Sequence, residues 1–320
     1  IHLLAAPDFL GADSVIALAA RHPEVVRRGL RLQGLGNDLI RLFGGRSVHP
    51  VGVCVGGFHR APDAREVATL VDKLRAALPD AEALVGWSAA LPLPEDPQSF
   101  VSVALRHPAE YPFCEGRIVS DDGLDIDADA YEDHFEERHV PHSTALHALL
   151  HGRSYLVGPL ARLNLDHERL PQAVRSVLAH TGLRLPGGNM FHSIVARAVE
   201  IHFALLEAIR ILEAYAPHGA PRAEVTPRAG AGAAATEAPR GLLWHRYETD
   251  AQGRIVRARI VPPTSQNQAR IEEDLRASLE AFGLDRPDDE LRQRGETVIR
   301  NYDPCISCAT HFLKLRVDRA

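Results

Sequence analysis

Apolar residues recur at three- and four-residue steps from Asp13 onward. They run through Val15, Ile16 and Ala19, then Val25, Val26 and Leu30, then Leu35, Leu39, Ile40 and Phe43. That period predicts one amphipathic helix, ended by Gly44-Gly45. The next stretch changes period. Val48, Val51, Val53 and Val55 alternate with small residues before Gly56-Gly57, which predicts a short strand and turn. A helix then opens at Pro62 and runs through Val67, Leu70, Val71 and Leu74 to about Leu78. Residues 111–133 predict a small β region around the turn Asp121-Asp122-Gly123.

The longest helical pattern follows Pro186-Gly187-Gly188-Asn189. Ile194, Val195, Ala198, Val199, Ile201, Ala204, Leu205, Leu206, Ile209 and Leu212 leave it apolar on most sides, and Pro217 stops it. A helix apolar nearly all round belongs at the centre of a bundle. Residues 216–235 are rich in Ala, Gly and Pro, which suits either a flexible spacer or a closely packed loop. Residues 241–261 predict a β-hairpin across Asp250-Ala251-Gln252-Gly253, and helices follow through Ile271–Phe282 and over residues 288–299. The pattern as a whole is α+β: a central bundle of long helices with small peripheral β regions, in one region spanning residues 1–320. The opening Ile1-His2-Leu3-Leu4-Ala5-Ala6 reads as a helix entered partway along, which suggests an amino-terminally truncated fragment.

Composition changes this picture little. Thirty-six Lys and Arg against 42 Asp and Glu give −6, so no surface for nucleic acid or anionic membrane is expected. No apolar run is long enough to span a bilayer, and no secretory leader is visible. Four cysteines in 320 residues do not make a disulfide scaffold; they point to a reducing compartment and to a metal or redox pair.

The chemistry concentrates at the end of the chain, in Asp303-Pro304-Cys305-Ile306-Ser307-Cys308-Ala309-Thr310-His311. Two thiols three positions apart can grip one metal ion, which holds them as thiolates far below the free pKa of about 8.5. Cys-x-x-Cys alone also serves zinc knuckles and redox pairs. Cys54 and Cys114 have no partner at a useful spacing and are expected as small core residues. His134, His139, His142, His147 and His151 invite a metal reading. Their spacings do not repeat on one helical face and Pro141 interrupts them, so surface or interface histidines are the expectation.

The full carboxy-terminal string resembles the motif of nickel–iron hydrogenase large subunits. Other stretches resemble that family in the same order: His2 to Asp8, Gly45-Arg46-Ser47-Val48-His49-Pro50 with Gly56-Gly57-Phe58, Glu237-Ala238-Pro239-Arg240-Gly241, and Pro263-Thr264-Ser265-Gln266-Asn267. Arg46 and Ile306-Ser307 are similar to the cytoplasmic branch linked to NAD(P). The resemblance implies the large-subunit fold and a Ni-Fe(CN)2CO centre for reversible H2 oxidation. In it, Cys305 is a terminal nickel ligand, Cys308 bridges nickel and iron, and His311 binds Mg2+. Arg240 stands over the site, held by Asp8 and Asp303, and His49 lies behind the ligands. It further implies an iron–sulfur small subunit, diaphorase or NAD(P)-reducing subunits, a maturation protease and nickel chaperones. The family's first motif, Arg-x-Cys-Gly-x-Cys, has no counterpart in residues 1–320, so two of four nickel ligands are missing and the fragment alone is expected to be inactive. The alternatives are a degenerate scaffold of the same fold and a zinc or redox protein using only the terminal cysteine pair.

Overall fold

A computed structural model describes residues 5–12, 14–217 and 219–304. The chain opens with helices α1 (Ala6–Phe9), α2 (Val15–Arg21) and α3 (Pro23–Gly44). The single helix expected from Asp13 to Gly44 is thus two. Pro23 has no N–H to continue the ladder and sits instead in the first turn of α3, where that donor is not needed. Gly45 ends α3 in the left-handed conformation, φ 77°. The hairpin β1 (Val53–Cys54) and β2 (Gly57–Phe58) follows.

Helix α4 (Ala64–Ala89) starts on a capping box, with Asp63 and Glu66 each satisfying the other's end of the first turn. It outruns the expected stop at Leu78. Pro79 removes one backbone bond, but Leu74 and Ala77 before it and Ala81, Leu84 and Val85 after it are all buried in the main helical core. Burial on both sides outweighs one lost bond.

The strands β3 (Val103–Arg106), β4 (Arg117–Ser120) and β5 (Asp125–Ile126) form an antiparallel meander that begins earlier than residue 111. Helix α5 (Tyr131–His134) leads into the hairpin β6 (Phe135–Arg138) and β7 (His147–Leu150). Helices α6 (Pro159–Asp166) and α7 (Gln172–Ala179) precede the long α8 (Ser193–Glu213). As its pattern predicts, α8 is buried on most sides over its first half and packs on α4.

The Ala- and Gly-rich stretch proves ordered. Ala223 N–H donates to Gly56 O (3.0 Å) and Phe58 N–H to Pro221 O (3.0 Å), fastening it to the first hairpin. Its end is a strand, β8 (Gly230–Ala238), which pairs with β9 (Gly241–Thr249), itself paired with β10 (Ile255–Val261). Small residues hide this strand from a reading based on branched side chains. Helices α9 (Pro263–Phe282) and α10 (Asp288–Asn301) complete the described chain. The helical core lies between α4, α6, α7 and α8; a second core joins the strands around Trp244, which stacks on Tyr131.

Two histidines on or beside α8 carry a pH signature. Burial lowers the pKa of His202, against a weaker pull from Glu82, and lowers that of His192 against Glu95. Unfolded, both take up protons near pH 6.5; folded, they resist doing so. The unfolded chain therefore binds more protons below about pH 6.5, and stability falls as the pH drops through that window. The thermal midpoint is expected to decline between pH 7 and pH 5.5, and His202→Asn to flatten that decline. An equal slope in the variant would remove His202 as a source.

Candidate functional site

The turn between β8 and β9 is only two residues long, because Ala238 pairs directly with Gly241 and leaves Pro239 and Arg240 at the tip. The turn lies hard against the backbone that enters α6. A Cβ on Gly241 (φ 137°) would stand 2.5 Å from Val157 Cγ2 and 2.9 Å from Gly158 N. A Cβ on Gly158 (φ 121°) would stand 2.9 Å from Arg240 O. Glycine is required at both positions for close approach and for backbone angle.

The same backbone is clamped from the other side. Asn267 accepts from Val157 N–H (2.9 Å) and donates to Val157 O (3.0 Å). Gln266 donates to Leu242 O, and also to Val261 O at 3.2 Å. Both carboxamides are buried at the start of α9. The stretch Pro263-Thr264-Ser265-Gln266-Asn267 therefore fastens β9 and the α6 entry to α9.

A buried charge network fixes the turn further. Arg162 on α6 is 2% exposed and donates bidentately to Glu200 on α8, at 2.6 Å for each bond. Its Nη1 also donates to Glu237 Oε2 (2.7 Å) and to Ala238 O (3.0 Å). Tyr111 donates to Glu200 Oε1 (2.6 Å), and Leu105 N–H to Glu237 Oε1 (2.8 Å). Burial works against charge on Arg162, but Glu200 and Glu237 outweigh it and keep the guanidinium protonated. Burial raises the Glu237 pKa, opposed by Arg162.

From this mount Arg240 reaches the end of α10. Its Nε donates to Asp303 O, and its Nη2 lies 3.3 Å from Asp303 Oδ1. Asp303 is held at φ 47°, a conformation uncommon outside glycine but tolerated by aspartate. Asp303 N–H donates to Arg300 O (3.1 Å), closing the helix. Pro304 follows, buried. The guanidinium thus contacts the residue that precedes Cys305 by two positions in the sequence.

Asp8, expected to help hold Arg240, meets Arg300 at the end of α10. The structure pairs it with Arg300, whose Nη1 donates to Asp8 Oδ1 (2.6 Å) while its Nη2 donates to Glu296 Oε2 (2.7 Å). Asp8 therefore bears on the last turn of α10. Cys305, Cys308 and His311 lie outside the described residues. His49 adopts φ 49°, and its carbonyl accepts from Arg46 Nε. Cys54 is half-buried, whereas Cys114 is exposed rather than in the core.

Two groups at the site escaped the sequence reading. Arg197, in α8, donates from Nη2 to Asn301 O (3.2 Å), which also accepts from Ser193 Oγ (2.8 Å). Burial lowers the Arg197 pKa, against the pull of Asp303 and Glu200. Arg197 Nε and both side-chain polar atoms of Asn301 are buried with no hydrogen-bond partner among the described residues. A charge inside an apolar helix was the available signal. A small cavity is lined by Leu156, Pro159, Met190, Arg197, Arg240 and Asn301. Two guanidinium groups and unused hydrogen-bonding capacity at its wall are chemically matched to acceptor atoms carrying negative charge, although the cavity itself holds about 10 Å³.

Comparison with known proteins agrees with the motif reading. The family model for nickel-dependent hydrogenase matches residues 138–311. The alpha subunit of sulfhydrogenase 1 of Pyrococcus furiosus is 32% identical over 320 residues, covering 98% of this chain and 74% of that protein. The beta subunit of the NAD-reducing hydrogenase HoxS of Cupriavidus necator is 29% identical, covering 94% of this chain and 68% of that protein. Among solved structures, an NAD+-reducing [NiFe]-hydrogenase in the H2-reduced state superposes with a TM-score of 0.81 at 24% identity, over 97% of this chain and 75% of that one, which shows a shared fold. With a family model covering more than half its length and a relative above 30% identity along nearly all of it, this chain belongs to the nickel-dependent hydrogenases, in the α+β large-subunit fold.

Proposed function

We propose that residues 1–320 form the catalytic large-subunit region of a nickel–iron hydrogenase that interconverts H2 with two protons and two electrons. The observation that carries this reading is the Arg240–Asp303 contact at the approach to Cys305. Cys305 and Cys308 would hold nickel, with Cys308 shared with an iron bearing CO and CN ligands, and His311 would hold Mg2+. Thiolates suit both metals because they are soft donors. When bound, the nickel–iron centre supplies the Lewis acidity and the electron storage for heterolytic cleavage of H2.

The chain's own residues do the rest. Asp303 engages Nε and Nη2 of Arg240, which would leave Nη1 as the donor available to the centre. The contribution of Arg240 would be positive charge and directed N–H donation at the site of H2 cleavage. Arg197 adds a second, half-buried cation, fit to satisfy an anionic ligand on the centre. Asp8 positions the end of α10 through Arg300.

Cys305 and Cys308 supply two of four thiolates; the other pair has to come from sequence outside residues 1–320. Electrons would pass to an iron–sulfur small subunit and on to NAD(P)-reducing partners, with a maturation protease and nickel chaperones loading the site. No described helix is long and apolar enough to cross a membrane, which fits a cytoplasmic setting. The test is elemental analysis of the purified protein expressed from its full gene. Nickel and iron in equal amounts are expected. Zinc alone would replace this reading with a zinc protein using the tail pair, and no metal at all with a scaffold subunit.

A further inference from the structure

Three side chains outside that site converge from separate elements. His147 opens β7, His142 stands in the loop between β6 and β7, and Glu272 lies on α9, which packs on β7. His142 Nε2 is 3.0 Å from Glu272 Oε1, and His147 Nε2 is 3.4 Å from the same oxygen. The three ligand atoms all lie within 4.8 Å of one another. Tetrahedral zinc with nitrogen and oxygen ligands at its usual bond lengths spaces them about 3.3 Å apart. The two nitrogen–oxygen edges are near that length, and the His142–Glu272 edge is at present a hydrogen bond that an ion would replace.

A second observation singles out His147. Its side chain is 6% exposed, and its Nε2 is buried without a hydrogen-bond partner among the described residues although it lies 3.4 Å from a carboxylate oxygen. A carboxylate only accepts, so it would satisfy this nitrogen only through an aligned N–H, and that alignment is missing. An unpartnered ring nitrogen within 4.8 Å of a second imidazole nitrogen and a carboxylate oxygen is an arrangement a metal ion can satisfy.

The loop is built to present His142. Ser143 N–H donates to Val140 O (3.1 Å), and Ala145 N–H donates to Ser143 Oγ (3.1 Å). Ser265 at the start of α9 donates to Leu146 O (2.8 Å), tying the loop's end to the helix that carries Glu272. The other histidine pair, His134 Nδ1 and His151 Nε2 at 2.9 Å, lies at the opposite end of the β6–β7 hairpin.

We propose that His142, His147 and Glu272 form a binding site for one Zn2+ ion, separate from the terminal cysteine motif. Two imidazoles and one carboxylate are a ligand set suited to zinc. The exposed sides of His142 and Glu272 leave the fourth position to water. The ion fastens the β6–β7 hairpin to α9, so it binds the folded chain and raises its thermal midpoint with zinc concentration.

The test uses the complete chain carrying Cys305→Ser and Cys308→Ser, so that zinc on the tail thiols is not counted. Titration calorimetry with a zinc salt is expected to show one saturable Zn2+ per chain. Glu272→Gln, at a half-exposed position, and His147→Ala should each weaken it by at least the roughly 100-fold that loss of an outer partner can cost. His134→Ala should leave it unchanged. Zinc binding in Glu272→Gln equal to that of the parent would overturn the site. So would a loss in His134→Ala as large as in His147→Ala.

Discussion

Arg240→Lys is expected to cut H2 oxidation by the assembled enzyme roughly 100- to 1000-fold, the size of effect seen when one aligned donor is removed from a reacting centre. Nickel and iron content should stay at the parent level, because Arg240 is not a metal ligand in the proposed site. The reason lies in the fork. Arg240 spends Nε and Nη2 on Asp303, and the plane set by those contacts directs its remaining N–H donors. Lysine keeps the charge but has one nitrogen on a flexible stem, so it can hold Asp303 or face the centre but cannot be fixed for both. Assay of H2 oxidation beside metal analysis separates the outcomes. Unchanged turnover with normal metal content would take Arg240 out of the mechanism, and lost metal would make it a residue of assembly.

Much of this arrangement was legible from local sequence, because local signals are what short motifs record. The hairpin turn at Asp250-Ala251-Gln252-Gly253, the apolar girth of α8 and the glycine stop of α3 each follow from residues close together in the chain. The stretch Glu237–Gly241 was readable as a unit, but its mounting was not. Gly241 tolerates no Cβ because of Val157, some eighty residues earlier, and no periodicity records that. The resemblance named Asp8 as a partner of Arg240; the bond from Arg300 to Asp8 joins two ends of the chain and left no trace in local sequence. The helix from Pro62 was expected to end at about Leu78, yet α4 runs on through Pro79 to Ala89, because burial on either side of the proline outweighs one lost bond and local pattern does not record it. The histidines between 134 and 151 looked unpatterned for the same reason: Glu272, which meets two of them, lies on another element.

Arg162→Met carries the largest expected cost in stability, about 3–5 kcal/mol, the usual result of removing one partner from a buried ion pair. Methionine fills most of the volume, so the loss is electrostatic. Glu200 would lose both bonds of its bidentate grip, keeping only the Tyr111 hydroxyl, and Glu237 would lose its cation while remaining fully enclosed. Denaturant unfolding of the chain measures this directly. Adding Glu200→Gln and Glu237→Gln should recover more than half of the deficit, since the stranded charges and not the missing arginine carry most of the penalty. A single-variant loss below about 1 kcal/mol, the value of an exposed pair, would mean that water reaches the network. The consequence extends to the site. Arg162 also holds Ala238 O beneath the turn that carries Arg240, so its loss should lower H2 turnover together with stability. Arg240→Lys should lower turnover alone, and the contrast between the two variants distinguishes the mount from the group it aims.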